Sequence, residues 1–271
     1  MASRIGFMDI KSPVHQLHPL TKLWILLALN TSVILYPDWA FGMVIFLVVL
    51  LTFRLARVSL AHLIRKLRFI LVFSVLLFVV QVLVTTNGNI FIYLIPRIGP
   101  FGPAFPVTDY GITRGASIVL RFLVIVLSSM LFVATTDPTL LSYTLTDIGV
   151  PYRYAFGLVV ALSFLPLFDQ ENETVRMAQH SRGIYPEVGG IRKTLRTIRY
   201  TFFPLLVSAL TKAEFLSLSM DGRGFGYRET RTYLRKPVWK LRDTTVSLLM
   251  LLLLVVVILT ILGLLPQTWS V

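Results

Sequence analysis

The residues of this sequence best placed to do chemistry are two arginines on repeated tips. Arg182 sits in Ser181-Arg182-Gly183 and Arg223 in Gly222-Arg223-Gly224, 41 residues apart. Each closes an apolar segment that carries an internal proline, Pro166 in the first and Pro204 in the second. A glycine just past a helix stops it and leaves the last side chains beside a free end. A guanidinium at such an end can complement the carbonyl-rich terminus of its own helix. Flanked by small residues and therefore uncrowded, it can instead enter a groove on another protein and pair with a carboxylate there. One tip alone reads as the first case. The repetition favours the second for both, with Gln179, Met220 and Phe225 as rim contacts.

Other residue clusters suggest chemistry that their surroundings do not support. Gly222-Arg223-Gly224-Phe225-Gly226 looks like a phosphate loop, but a phosphate loop opens a helix and this one follows one. No GxxxxGK[ST] occurs, so the chain holds no ATP by that route. Asp169 and Glu173 share a helix face in the run Asp169-Gln170-Glu171-Asn172-Glu173, yet no second acidic or histidine cluster completes a metal shell. The run reads as a polar turn that pairs with nearby basic residues. The four histidines (15, 18, 62 and 180) lack ligand spacing, and His15 and His18 lie in a proline-bounded stretch as structural residues. With no cysteine there is no disulfide framework, no cysteine-ligated zinc and no thiol catalysis.

The elements that must position the tips follow from composition. At 271 residues and 55% hydrophobic, the chain is a polytopic, all-α membrane protein, because lipid demands backbones satisfied within each segment. The net charge of +13 reports which loops stay cytoplasmic rather than a nucleic-acid surface. Arg4, Lys11 and Lys22 before the first apolar run resemble a signal peptide, but Ala28-Leu29-Asn30 fails as a cleavage site and the run reads as a retained span.

That first run, Leu23 to Tyr36, turns at Pro37-Asp38 into a second, Trp39 to Ala56. Both are short for a crossing and fit a tilted or shallow hairpin, with Trp24 and Trp39 as interfacial anchors. Arg54, Arg57, Arg65, Lys66 and Arg68, with no acid among them, mark a cytoplasmic loop. A third span follows from Phe69 to Thr86, and then a Gly- and Pro-rich outer loop over 87–113 that is expected to lack regular structure. The fourth span runs from Gly115 to Thr136 and contains Arg121, placed to snorkel to the outer interface.

A short amphipathic piece from Pro138 to Ile148 leads into the two proline-bearing segments. Between Asp169 and Asp243 there are 14 Lys/Arg against 8 Asp/Glu, a cytoplasmic signature. Helices over 155–182 and 200–222 would be about 42 and 35 Å long, bent by their prolines. Thr244 to Leu265 is the last span. The expected division is a four-span bundle over 1–136, a cytoplasmic coupling region over 137–243 with two to three long helices, and a last span over 244–271. About five spans result, with the N-terminus inside and the C-terminus outside.

Ser12-Pro-Val-His-Gln-Leu-His-Pro-Leu-Thr-Lys-Leu-Trp24, the proline-bearing helices, and the motifs AQHSRGI and SMDGRGFG together resemble one family. It is the transmembrane T component of energy-coupling factor (ECF) transporters, the vitamin and trace-metal uptake branch of the ABC transporters, and the resemblance covers nearly the whole chain. In that family both triplets are commonly Ala-Arg-Gly at the tips of cytoplasmic coupling helices, and each arginine docks in a groove of one ATPase subunit. Carried over, the Arg182 and Arg223 triplets hold those places. Ser181 and Gly222 replace the alanines and stay small, whereas His18 and Leu20 stand where the family often has Asp and Arg.

The resemblance implies a prokaryotic cytoplasmic-membrane subunit with no catalysis and no cofactor of its own, ATP and magnesium being bound by two ATPase partners. It also implies a small substrate-binding membrane S component that topples to release its cargo as the ATPases move the arginine tips. An intramembrane lipid or prenyl transferase would need paired acidic motifs for magnesium and diphosphate, which are missing. A stand-alone carrier would call for repeated spans with polar midplane residues.

Overall fold

Helices form where the apolar runs lie, and their ends follow local capping chemistry. The computed structural model describes residues 10, 12–57, 60–85, 87–93, 106–183, 190–227 and 238–264, with the side chains of 60–67, 91, 92, 93, 106, 191–194, 196 and 197 left aside. Helix α1, Pro19–Leu35, opens with proline at its first turn, where the missing N–H is no loss. The His18 ring caps it, Nδ1 accepting the Leu20 N–H at 3.3 Å. Helix α2, Trp39–Leu55, begins directly after the Pro37-Asp38 turn. Helix α3, Leu60–Val84, starts nine residues before the apolar run from Phe69, because the basic stretch is also a good helix former.

The connection between α3 and the next helix is more regular than its composition suggests. Strand β1, Ile90–Tyr93, is built from β-branched and aromatic residues and pairs antiparallel with β2, Pro106–Thr108. This hairpin corrects the expectation of a structureless connection, although the intervening 94–105 lie outside the described residues. Helix α4, Asp109–Thr135, then begins six residues before Gly115, because Thr108 Oγ1 accepts the Gly111 N–H at 3.0 Å and sets an N-cap. Gly111, expected in the loop, lies inside the helix, and Gly115, expected to open the span, lets α3 approach. A Cβ on Gly115 would sit 3.1 Å from the Phe78 ring.

Beyond α4 come α5, Pro138–Thr144, a 3-10 turn at Leu145–Ile148, and the long helices α6, Tyr152–Ser181, and α7, Ile191–Gly222. Helix α8, Leu241–Ile261, is the last. The chain divides into two compact units, residues 1–137 with 237–271, and residues 138–236.

In the first unit α4 packs on α1, α2 and α3, and α8 packs on α1. Leu29 and Val33 of α1, Ile45, Val49 and Phe53 of α2, and Val124 and Leu127 of α4 form its core. Polar groups close one end of the bundle. Asp243, at the start of α8 and almost wholly buried, accepts the His18 N–H at 2.8 Å and the Lys240 N–H at 2.9 Å. Lys22, whose charge Asp243 opposes, donates to the carbonyls of Thr135 at 2.7 Å and His15 at 3.0 Å. The N-terminal stretch therefore staples α1, α4 and α8 together.

In length and composition α4, α6, the Ile198–Gly222 part of α7, and α8 can each cross a membrane, and α1, α2 and Arg68–Val84 of α3 are shorter apolar helices. Apolar side chains such as Val75, Leu76, Leu248 and Leu252 are more than half exposed on the helix surfaces. The chain is an all-α, multi-pass membrane protein with that one small hairpin.

Candidate functional site

The 138–236 unit holds both arginine triplets. Helices α6 and α7 each run unbroken through their proline, Pro166 and Pro204, and each stops in the same way. Arg182 has φ −90° and ψ 5°, Arg223 φ −95° and ψ 10°. The following Gly183 and Gly224 take φ of 74° and 65°, the left-handed region that only glycine enters without penalty. The Gly183 N–H bonds to His180 O and the Gly224 N–H to Asp221 O, both at 2.9 Å. At the second tip the Phe225 N–H also reaches Met220 O at 2.9 Å. The matching residue at the first tip, Ile184, lies outside the described residues.

The two triplets are therefore the same local structure, and both are exposed. A Cβ added at Gly183, Gly222 or Gly224 would meet nothing within 4 Å. Neither Arg182 nor Arg223 has a side-chain hydrogen bond or salt bridge among the described residues. Ser181 turns its hydroxyl back to Met177 O at 3.1 Å, so its polarity is spent on its own helix. The groups placed around the tips are partly engaged. Gln179 Nε2 donates to Tyr200 O at 2.8 Å, and the Phe225 ring packs on Phe156 and Tyr152 with centroids 4.6 and 5.8 Å away. Met220 is half-buried.

These contacts set the direction of the helix pair. Gln179 of α6 meets Tyr200 of α7, Glu171 meets Ser208 and Lys212, and Phe156 meets Phe225. Numbers fall along one helix as they rise along the other, so the two run antiparallel. Arg182 thus ends one extremity of the pair, and Arg223 the other, beside the start of α6. At 1.5 Å per residue over the stretch from Phe156 to Arg182, the tips are about 40 Å apart along the pair.

The middle of the pair is fixed by the acidic run read earlier as a polar turn. Glu171 accepts from Lys212 Nζ and, at 2.8 Å, from Ser208 Oγ. The hydrogen bonds from Lys212, then Ser208, hold its carboxyl below the usual carboxylate range. Among the described residues no group of three or more His, Cys, Asp or Glu could hold a metal. Away from α6, helix α7 leaves Leu195, Ile198, Phe202, Leu206 and Leu210 exposed at helical spacing, an apolar stripe without a partner among the described residues of its unit.

Apolar membrane helices together with an antiparallel helix pair that ends in two exposed cations are the parts of a transmembrane transport subunit. Residues 10–234 match the family CbiQ, described as cobalt transport protein, and the chain belongs to it, among the non-catalytic transmembrane T components of ECF-type ABC importers. It is similar to the energy-coupling factor transporter transmembrane protein EcfT of Exiguobacterium sibiricum, with 31% identity over 216 residues that cover 76% of this chain and 79% of the relative. EcfT of Thermotoga maritima is 30% identical over 254 residues, 90% and 88% of the two chains. EcfT of Bacillus subtilis is 29% identical over 243 residues, 87% and 89%.

Proposed function

We propose that this T component carries motion from two ATPase subunits, identical or not, to a separate small substrate-binding membrane protein, and that Arg182 and Arg223 are its two points of attachment. The observation that supports this most is the duplication of one uncrowded arginine tip at opposite ends of an antiparallel pair. A dimer of ATPases offers two equivalent grooves, and closing on ATP changes the distance between them. A brace of fixed length seated in both grooves must rotate or shift as they approach. The exposed stripe of α7 then moves with it and displaces whatever membrane protein rests on that stripe.

Ser181, Gly183, Gly222 and Gly224 serve this reading by keeping each guanidinium clear, and Met220 is the rim residue with surface to spare. Gln179 and Phe225 brace the tips from behind while keeping part of their surface open. The basic loops and the 14 Lys/Arg of the 169–243 region support a cytoplasmic position for the tips, with the N-terminus inside and the C-terminus outside. The division of labour that follows is a membrane bundle over 1–136 and 244–271, and a coupling region over 137–243. The cargo is a vitamin or a trace-metal ion, the matched family's description pointing toward cobalt.

Uptake and co-purification in cells test the reading. Arg182→Ala with Arg223→Ala is expected to abolish uptake and to release the ATPases from the purified chain, while the protein stays in the membrane. Wild-type uptake and wild-type ATPase recovery in the double variant would rule it out.

A further inference from the structure

The end of the bundle where α1 stops and α2 and α4 begin holds a polar cleft of about 330 Å³ that the coupling function does not use. Asp38, Trp39, Tyr110, Arg114, Ser117 and Arg121 contribute to its walls. On α4 the spacing from 110 to 114, 117 and 121 puts four of these on one face. Arg114 donates to the Tyr110 hydroxyl at 2.8 Å and lies over that ring, and Ser117 Oγ donates to Pro37 O at 2.8 Å.

Arg121 is different. It sits thirteenth in a helix of 27 residues, about 18 Å below the helix start, and its Nε is buried with no hydrogen-bond partner among the described residues. A guanidinium at that depth in lipid is costly and marks a functional position. Helical side chains lean toward the N-terminus, so this one reaches up the cleft toward Arg114.

We infer that the cleft binds the phosphodiester of an anionic phospholipid, with Arg121 and Arg114 as its donors. Two guanidiniums face one carboxylate, Asp38, which leaves a single net positive charge for a singly charged phosphate. The planar fork of arginine suits two phosphate oxygens, and an acceptor there would satisfy the orphaned Nε. Trp39 and Tyr110, both nearly half exposed, line the same cleft, and such aromatic residues mark the headgroup level of a bilayer. That level favours a lipid over a free anion. The leaflet, the outer one, rests on the orientation proposed above, whereas the site itself does not.

The test uses the full chain, delipidated in neutral detergent, with native mass spectrometry to count retained lipid. Phosphatidylglycerol should remain bound where phosphatidylcholine does not, and inorganic phosphate at equal concentration should fail to displace it. Arg121→Gln should weaken retention roughly tenfold, the effect of losing one charge-assisted contact. Arg114→Gln, at an exposed position that the fold tolerates, should weaken it in the same direction. Unchanged retention in Arg114→Gln and Arg121→Gln, or equal retention of phosphatidylcholine, would overturn the site. Displacement by inorganic phosphate would overturn the lipid assignment. None of these readouts depends on the ATPases or on topology, so failure here leaves the coupling proposal standing, and the reverse holds too.

Discussion

Arginine and glycine divide the work at each tip, and substitutions can separate their roles. Gly222 is helical with open space around it, so Gly222→Ala should raise helix stability by about 1 kcal/mol and leave uptake intact. Gly224 is left-handed, so Gly224→Ala has equal room but should cost about 1–2 kcal/mol at the tip and weaken ATPase binding. Thermal unfolding and ATPase pull-down of the two variants side by side check this contrast. The buried staple gives a second residue-scale prediction. Asp243→Ala removes the acceptor of two N–H groups and the charge opposite Lys22, and should destabilise the bundle by roughly 3 kcal/mol or more in detergent unfolding. The tip conformation was legible in the sequence, because a glycine just past the last apolar turn stops a helix. The staple was not, since His18 and Asp243 lie 225 residues apart and nothing local announces their bond. His18 has a second part in the staple, since its Nδ1 accepts the Leu20 N–H and caps α1.

At the scale of elements, Glu171 is one of the links that hold α6 and α7 antiparallel. Its folded-state pKa is depressed, so the stabilisation it provides is present above the ordinary carboxylate range and is lost as pH falls through the folded value. Protection of α6 and α7 amides against hydrogen exchange, relative to the intrinsic rate at each pH, should therefore fall on acidification below the usual carboxylate range, and Glu171→Gln should flatten that dependence. On the membrane side, Gly115→Leu would drive a side chain into the Phe78 ring and push α3 from α4, with loss of folded protein in detergent as the readout.

Helix existence was readable from apolar runs, and the ends of α1, α2 and α5 lie close to the sequence boundaries. The start of α4 was not, because Gly111 looks like a loop residue until the Thr108 cap and the neighbouring helix are seen. The antiparallel sense of α6 and α7 was equally hidden, as it needs the pairing of Glu171 with Lys212, 41 residues on. Each segment taken alone looks like a lever attached at one end. Paired, they make a brace with an arginine at each end.

For the molecule as a whole, a brace with two equivalent ends transmits motion only if different partners hold the ends. Absence of cysteine in the natural sequence makes the test clean. Met177→Cys and Leu218→Cys, at exposed positions five residues before each arginine and each carrying a photoactivatable cross-linker, can be introduced singly and together into the assembled transporter. If the tips work as described, each single variant links to one ATPase chain, and the double variant gives a product with two ATPase chains on one T component. Cross-links from both positions to the same ATPase chain, or to the lipid phase alone, would show that the arginines do not span an ATPase pair.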